Sequence, residues 1–418
     1  MKDRRVVITG MGVITPLGQE LETFWSNLLA GRSGVVPISR FDTSVGYHSK
    51  IAGEVRDFDP KPVFNNPKDH KRTDRFAHFS MATAKSAMRD SGIDLTKVDR
   101  NRFGVLTSTG IGGLKTLEDQ HSALLNKGPD RISAFTIPML IGNMASGIIS
   151  MEFGLHGPNM CIATACATSN NAIGEAWRII KFGDADIFLA GGSEAAIIPV
   201  GLAGFSAMKA LSRRNHEPQK ASRPFDKDRD GFVIGEGAGT MVVEELEHAK
   251  ARGAKIYCEI AGYGLSGDAY HMTAPPPNGE GAARAMSLSL EHAGLAPEQV
   301  DYLNAHATST GLGDVCETRA IKSVFGDYAQ SGGLTISSTK SMTGHLLGGS
   351  GAIELAICAL AIRDGKIPPT INLDHPDTEC DLDFTPHVMR EKEVNVAMNN
   401  SFGFGGHNAT LVVKRFEG

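Results

Sequence analysis

Residues 162–169 read Ile-Ala-Thr-Ala-Cys-Ala-Thr-Ser, an apolar run that turns through small residues into a helix-forming stretch. Residues 336–340, Ile-Ser-Ser-Thr-Lys, repeat that pattern before a second helical stretch, with Lys340 standing where the first has Cys166. Glycine turns show the same doubling. Gly235-Glu-Gly-Ala-Gly239 leads into the apolar run 240–243, and Gly403-Phe-Gly-Gly406 into 410–413. Further strand-like runs lie at 6–9, 103–107, 160–164, 187–190, 300–304, 334–338 and 394–398. Helix-like stretches alternate with them at 21–29, 76–91, 137–153, 167–182, 281–293, 314–325 and 347–364. In the stretch after Cys166, Ala172, Ile173, Ala176, Trp177 and Ile180 share one stripe. Such alternation marks an α/β fold, and the repeat predicts two related halves, 1–255 and 256–418.

With 418 residues, 41% hydrophobic and 21% charged, the chain has the composition of a soluble globular protein with a large core. Its net charge of -5 argues against general nucleic-acid binding but leaves room for a local basic patch facing an acidic partner. The six cysteines show neither paired metal-ligand spacing nor a dense disulfide framework, so a reducing cytoplasm is expected. The N-terminus enters a strand by Arg5, which leaves no room for a signal peptide. The most apolar late segment, 351–362, carries Glu354 and is too short to cross a bilayer. No membrane insertion is expected.

A thiol at a helix N-terminus meets unpaired N–H groups and the positive end of the helix dipole, which predicts a stabilised Cys166 thiolate. A small buried residue filling an Ala-rich turn is the alternative, and potential partners decide between them. Of 14 histidines, His306 and His345 follow strand-like runs, at the ends where α/β sheets collect ligands. Cys166, His306 and His345 can therefore share one crevice and support nucleophilic catalysis. The run Gly403–Gly406 is either a tight turn or a backbone donor site for a developing oxyanion. Neither glycine run is a dinucleotide fingerprint, since Gly235–Gly239 precedes a strand, and no Walker-type loop occurs. Asp226, Asp228 and Asp230 alternate with Lys227 and Arg229, which reads as a charged loop rather than a calcium site.

Four motifs together resemble one family: Thr164-Ala-Cys-Ala-Thr168, Gly231-Phe-Val-Ile-Gly-Glu-Gly-Ala-Gly239, Asn304-Ala-His-Ala-Thr-Ser-Thr310 and Lys340-Ser-Met-Thr-Gly-His345. The chain resembles the elongating β-ketoacyl-acyl-carrier-protein synthases of fatty-acid synthesis from Val6 to Asn408. That resemblance implies a thiolase-like duplicated α/β fold, layered α-β-α-β-α. It implies an acyltransferase that condenses an acyl chain, held on Cys166, with malonyl-acyl-carrier protein. In that reading His306 and His345 serve malonyl decarboxylation, Lys340 lies beside them, and Glu317 neutralises Lys340. The N–H groups of Cys166 and Phe404 form the oxyanion hole, and Phe404 also gates the acyl pocket with the loop of Asp268. Thr308 and Thr310 contact pantetheine, while Ile111 and Phe402 belong to the substrate site. Lys68, Lys71, Arg72, Arg131 and Lys209 match positions that meet acidic carrier protein. The resemblance implies a homodimer and neither metal nor redox cofactor, the substrates riding on carrier-protein phosphopantetheine.

One departure stands out: Ala134 and Thr136 occupy positions where the family commonly has proline and a second aromatic, leaving chain-length preference open. A thiolase would use a second late cysteine, but Cys358 lies in an apolar helical stretch and Cys380 in a polar loop. Initiating synthases replace one histidine by asparagine, which His345 opposes. A non-catalytic chain-length factor would lack Cys166. A ketosynthase of a polyketide or specialised-lipid pathway would carry the same catalytic residues.

Overall fold

The computed structural model describes residues 4–418. The first half supplies β1 (Val6–Ile14), β2 (Phe103–Ser108), β3 (Ile187–Glu194) and β4 (Gly237–Glu245). The second supplies β5 (Cys258–Gly267), β6 (Tyr302–Asn304), β7 (Thr335–Ser337), β8 (Val396–Gly403) and β9 (His407–Lys414). They join in the order β2-β3-β4-β1-β5-β9-β8-β6-β7. Outward from the central antiparallel pair β1/β5, the two halves repeat each other. Each continues with two antiparallel steps and then a parallel pair, β3/β2 on one side and β8/β6 on the other.

β7 extends the second half in parallel beside β6. At the matching place in the first half, Asn159 makes only an isolated parallel bridge to Val105 of β2. The strand expected at 160–164 is therefore absent. Side chains take over its ladder: Ser146 Oγ donates to the Met160 carbonyl at 2.8 Å, and the Ile162 N–H donates to Ser108 Oγ at 3.1 Å. The expected helix 137–153 is likewise two helices, Thr136–Leu140 and Met144–Phe153. Between them the chain turns at Gly142, and the Leu140 carbonyl leaves the helical pattern to accept the Gly113 N–H at 2.9 Å.

Three apolar cores separate the layers. The central one holds the helices Thr168–Phe182 and Ser350–Asp364, with the inward residues of β1, β3 and β9. Every residue from Ser350 to Ile362 is buried, as expected of a helix enclosed on all sides. The helix Arg75–Ser91 covers the first half, and Glu280–Ala293 with Gly311–Gln330 covers the second. The result is the layered α-β-α-β-α arrangement. No helix among the described residues is long and apolar enough to cross a membrane.

β5, one of the central pair, has no counterpart among the sequence-derived strands. Its Cys-Glu-Ile-Ala-Gly-Tyr-Gly-Leu-Ser-Gly run has a single β-branched residue, Ile260, and is broken by Gly262, Gly264 and Gly267, which weakens the strand signal. The glycines serve strand–helix packing instead. A Cβ on Gly262 would lie 2.0 Å from the Ser289 carbonyl oxygen, and one on Gly264 2.0 Å from that of Ala285. Gly264→Ala should therefore lower stability by about 3 kcal/mol through overpacking. Urea unfolding followed by circular dichroism reads this as a lower midpoint; an unchanged midpoint would mean that the helix yields without cost.

Candidate active site

Cys166 sits in the 3-10 turn Ala165–Ala167, which runs straight into the helix Thr168–Phe182. Ala165 enters it at φ 50°, a left-handed conformation that costs a residue with a Cβ and marks a constrained site. The backbone of Gly403 closes over this turn. A Cβ there would meet the Thr164 carbonyl oxygen at 2.6 Å and the Cys166 nitrogen at 3.0 Å. With that close approach, the Phe404 N–H points at the Cys166 sulfur.

His345 Nε2 lies 3.0 Å from Cys166 Sγ, and its Nδ1 lies 2.9 Å from Ser350 Oγ. The His306 ring stands edge-on to His345, with centroids 5.3 Å apart, and Phe402 packs against His306 at 5.7 Å. Phe232 packs edge-on against the His345 ring. Burial dominates the electrostatics of all three reactive groups. It pushes the Cys166 thiol up to about 12, against the smaller opposing pull of Lys340 and the Phe404 N–H. The direction is opposite to the sequence expectation, because desolvation is the largest influence on this thiol. Both imidazoles are held well below the usual histidine range by burial and by the charge of Lys340, so both are neutral.

Lys340 is paired with Glu354 at 2.5 Å, both side chains 1% exposed. The expected partner, Glu317, does other work: its carboxylate accepts the N–H groups of His306 at 2.9 Å and Ala307 at 2.6 Å, and Asn400 Nδ2 at 3.1 Å. Glu317 thus fixes the backbone carrying His306, and Glu354 neutralises Lys340. An acid within an otherwise apolar buried helix needs a charged partner, but the sequence does not say which cation that is. A further carboxylate escaped sequence reasoning. Glu194, fully buried at the end of β3, accepts Thr109 Oγ1 at 2.7 Å, the Gly110 N–H at 3.0 Å and the Gly348 N–H at 3.1 Å. It ties the turn of Ile111 to the loop after His345, and burial raises its carboxyl to about 7.

A cavity of about 670 Å³ reaches Cys166, His306 and His345 and is also lined by Glu317, Ile111, Asp268, Thr308, Thr310, Phe402, Phe404 and Lys209. Thr308 and Thr310 meet through their hydroxyls at 3.1 Å. Asp268 accepts Asn408 Nδ2 at 2.7 Å and the Gly406 carbonyl accepts its N–H, tying its loop to the glycine turn of Phe404. Lys68, Lys71, Arg72 and Arg131 lie outside the cavity on exposed turns. The Arg72 guanidinium lies 5.0 Å from the Phe135 ring centroid, bringing the 68–72 turn against the segment after Arg131. Two of the three aspartates of the 226–230 loop are engaged by the protein itself, Asp226 by Arg223 and Asp230 by the Arg213 N–H.

The donor atoms of Cys166, His306 and His345 all lie within 4.8 Å of one another, a grouping that could in principle hold a metal. The 3.0 Å contact between sulfur and Nε2 fits hydrogen bonding better, because two such ligands on one tetrahedral zinc stand about 3.5 Å apart. Because Cys166 is a buried thiol, its alkylation by iodoacetamide should accelerate as pH rises, without levelling off below about pH 10. A rate plateau near neutrality would show that the thiolate is already formed.

Residues 3–249 match the family model "Beta-ketoacyl synthase, N-terminal domain", and residues 257–374 match "Beta-ketoacyl synthase, C-terminal domain". The 3-oxoacyl-[acyl-carrier-protein] synthase 2 of Coxiella burnetii is 55% identical over 415 residues, covering 99% of each chain. That of Synechocystis sp. is 53% identical over 417 residues, covering 100% of this chain and 99% of the relative. Among solved structures, a type II polyketide acyl-carrier protein in complex with its ketosynthase includes a chain with TM-score 0.92 and 36% identity, both chains covered in full. The chain belongs to the β-ketoacyl synthase family, the acyl-transferring condensing enzymes.

Proposed function

We propose that this chain elongates fatty acids by condensing an acyl group, carried as a thioester on Cys166, with malonyl-acyl-carrier protein. The observation that carries the reading is the convergence of Cys166, His345 and His306 on one cavity of about 670 Å³. In the first step, the Cys166 sulfur attacks the acyl thioester carbonyl. The tetrahedral oxyanion is met by the Cys166 and Phe404 N–H groups, each such donor being worth ~3 kcal/mol of barrier. Collapse expels the pantetheine thiol, which leaves with the proton that Cys166 gave up.

In the second step, malonyl-carrier protein loses CO₂ by cleavage of its C–C bond, and negative charge builds on its thioester oxygen as an enolate. Neutral His306 and His345 suit N–H donation to that oxygen. The enolate carbon attacks the acyl-Cys166 carbonyl, a C–C bond forms, and Cys166 departs as a thiolate that takes one proton from solvent, so each full cycle consumes one proton. The products are 3-oxoacyl-carrier protein and CO₂. Loss of CO₂ supplies the carbanion, so the reading needs no metal or redox cofactor.

The partner is acyl carrier protein, in keeping with the solved ketosynthase complex that this chain resembles. We assign its approach to the exposed cations Lys68, Lys71, Arg72, Arg131 and Lys209, whose field would steer an acidic partner toward the cavity mouth. A homodimer would cover the exposed apolar residues Phe135, Ile137, Ile141, Met151 and Met160. Two halves, 1–255 with the nucleophile and 256–418 with the histidines, and a cytoplasmic home for six unpaired cysteines complete the reading. The curated relatives at 53–55% identity are both named 3-oxoacyl-[acyl-carrier-protein] synthase 2, which favours fatty-acid elongation over polyketide synthesis.

Incubation with acyl-carrier protein should add one acyl group to the chain at Cys166, seen by intact-mass analysis, and Cys166→Ala should abolish both adduct and condensation. An adduct on another cysteine would overturn the mechanism. His345→Ala should impair malonyl decarboxylation at least about tenfold more than acylation of the sulfur. Sedimentation should give twice the 44.5 kDa chain mass, and charge reversal at Lys71 should raise the KM for carrier-protein substrates while leaving kcat largely intact.

A further inference from the structure

His345 is neutral and buried, so its ring carries one proton and offers one donor. Which nitrogen holds that proton decides whether Nε2 can donate toward the reacting centre or only accept from it. The imidazole beside Cys166 has a defined partner on its far side: Nδ1 lies 2.9 Å from Ser350 Oγ, and Ser350 is 1% exposed. His306 differs. Its Nδ1 is buried and has no hydrogen-bond partner among the described residues.

Two features of the Ser350 side determine the tautomer. Ser350 is the first residue of the helix Ser350–Asp364, whose positive dipole end disfavours a proton on a nitrogen facing it. Its hydroxyl can donate to a bare Nδ1. Lys340 adds positive charge nearby and opposes the doubly protonated ring, removing the one form in which both nitrogens would donate. From this geometry we propose that Ser350 is a positioning residue, whose hydroxyl donates to Nδ1 and holds His345 as the Nε2–H tautomer. Nε2–H then faces the Cys166 sulfur in the free enzyme and the malonyl thioester oxygen during decarboxylation. Ser350 touches no substrate and acts only through His345. The inference rests on the decarboxylation role given to His345 above.

The test compares the wild-type chain with Ser350→Ala and Ser350→Thr. Nitrogen NMR of the histidine-labelled protein, with His345 assigned by its loss in His345→Ala, reports which ring nitrogen is protonated. The wild type should show a bare Nδ1 and a protonated Nε2, and Ser350→Ala should shift the ring toward a mixture. Malonyl decarboxylation by Ser350→Ala should fall about tenfold or more in kcat with little change in KM, since only the donor is lost. Ser350→Thr keeps the hydroxyl and should restore both signals. A proton on Nδ1 in the wild type overturns the proposal. So does wild-type decarboxylation by Ser350→Ala, or failure of Ser350→Thr to restore it. A wild-type chain that takes up acyl groups but does not decarboxylate malonyl-carrier protein would instead overturn the role of His345.

Discussion

The 3.0 Å contact between Cys166 and His345 depends on two buried helices starting side by side between the sheet halves. Thr168–Phe182 comes from one half of the repeat and Ser350–Asp364 from the other. They can lie this close because Gly351 has no side chain: a Cβ there would stand 2.7 Å from Asn170 Oδ1. Asn399 Nδ2 then joins the two helices, donating to Asn170 Oδ1 and the Gly351 carbonyl. Remove that close approach and the nucleophile loses its imidazole.

Charge in this interior positions backbone more than it activates the thiol. Glu317 holds the His306 loop through two N–H groups, Glu194 joins the Ile111 turn to the loop after His345, and Glu354 compensates Lys340. Buried ion pairs contribute little net stability, but losing one partner costs about 3–5 kcal/mol, so such groups enforce geometry more than they strengthen the fold. The same dry surroundings keep Cys166 as a thiol and both histidines neutral. A neutral triad suits a cycle in which enolate charge builds on the substrate oxygen, where fixed donors meet it.

Much of the architecture was legible because strands and helices alternate with clear periods and the glycine turns repeat. The failures have local causes. β5 was missed because its glycines, chosen for contact with the helix Glu280–Ala293, erase the strand signature. The run 160–164 looked like a strand, yet it lies along the outer edge of β2, where Ser146 and Ser108 take its hydrogen bonds. Stretch 137–153 looked like one helix because a bend at Gly142 costs the apolar pattern nothing. Within the site, Cys166, His306 and His345 were legible as reactive types at strand ends. The partner of Lys340 was not, because Glu317 and Glu354 are both acids of the second half, and only packing decides which carboxylate reaches the ammonium.

By itself the sequence determined the α/β alternation, the doubled pattern around Cys166 and Lys340, and the set of residues able to do the chemistry. Those follow from residue type and spacing, which act locally along the chain. Tertiary structure decided the protonation of the site and the pairing of its charges. Depth of burial sets the Cys166 thiol at about 12 and keeps the imidazoles neutral, and no local pattern encodes depth. It also placed Ser350 against Nδ1 of His345, a contact between residues close in sequence that exists only because the loop joining them is folded back at Leu347, whose φ is 49°.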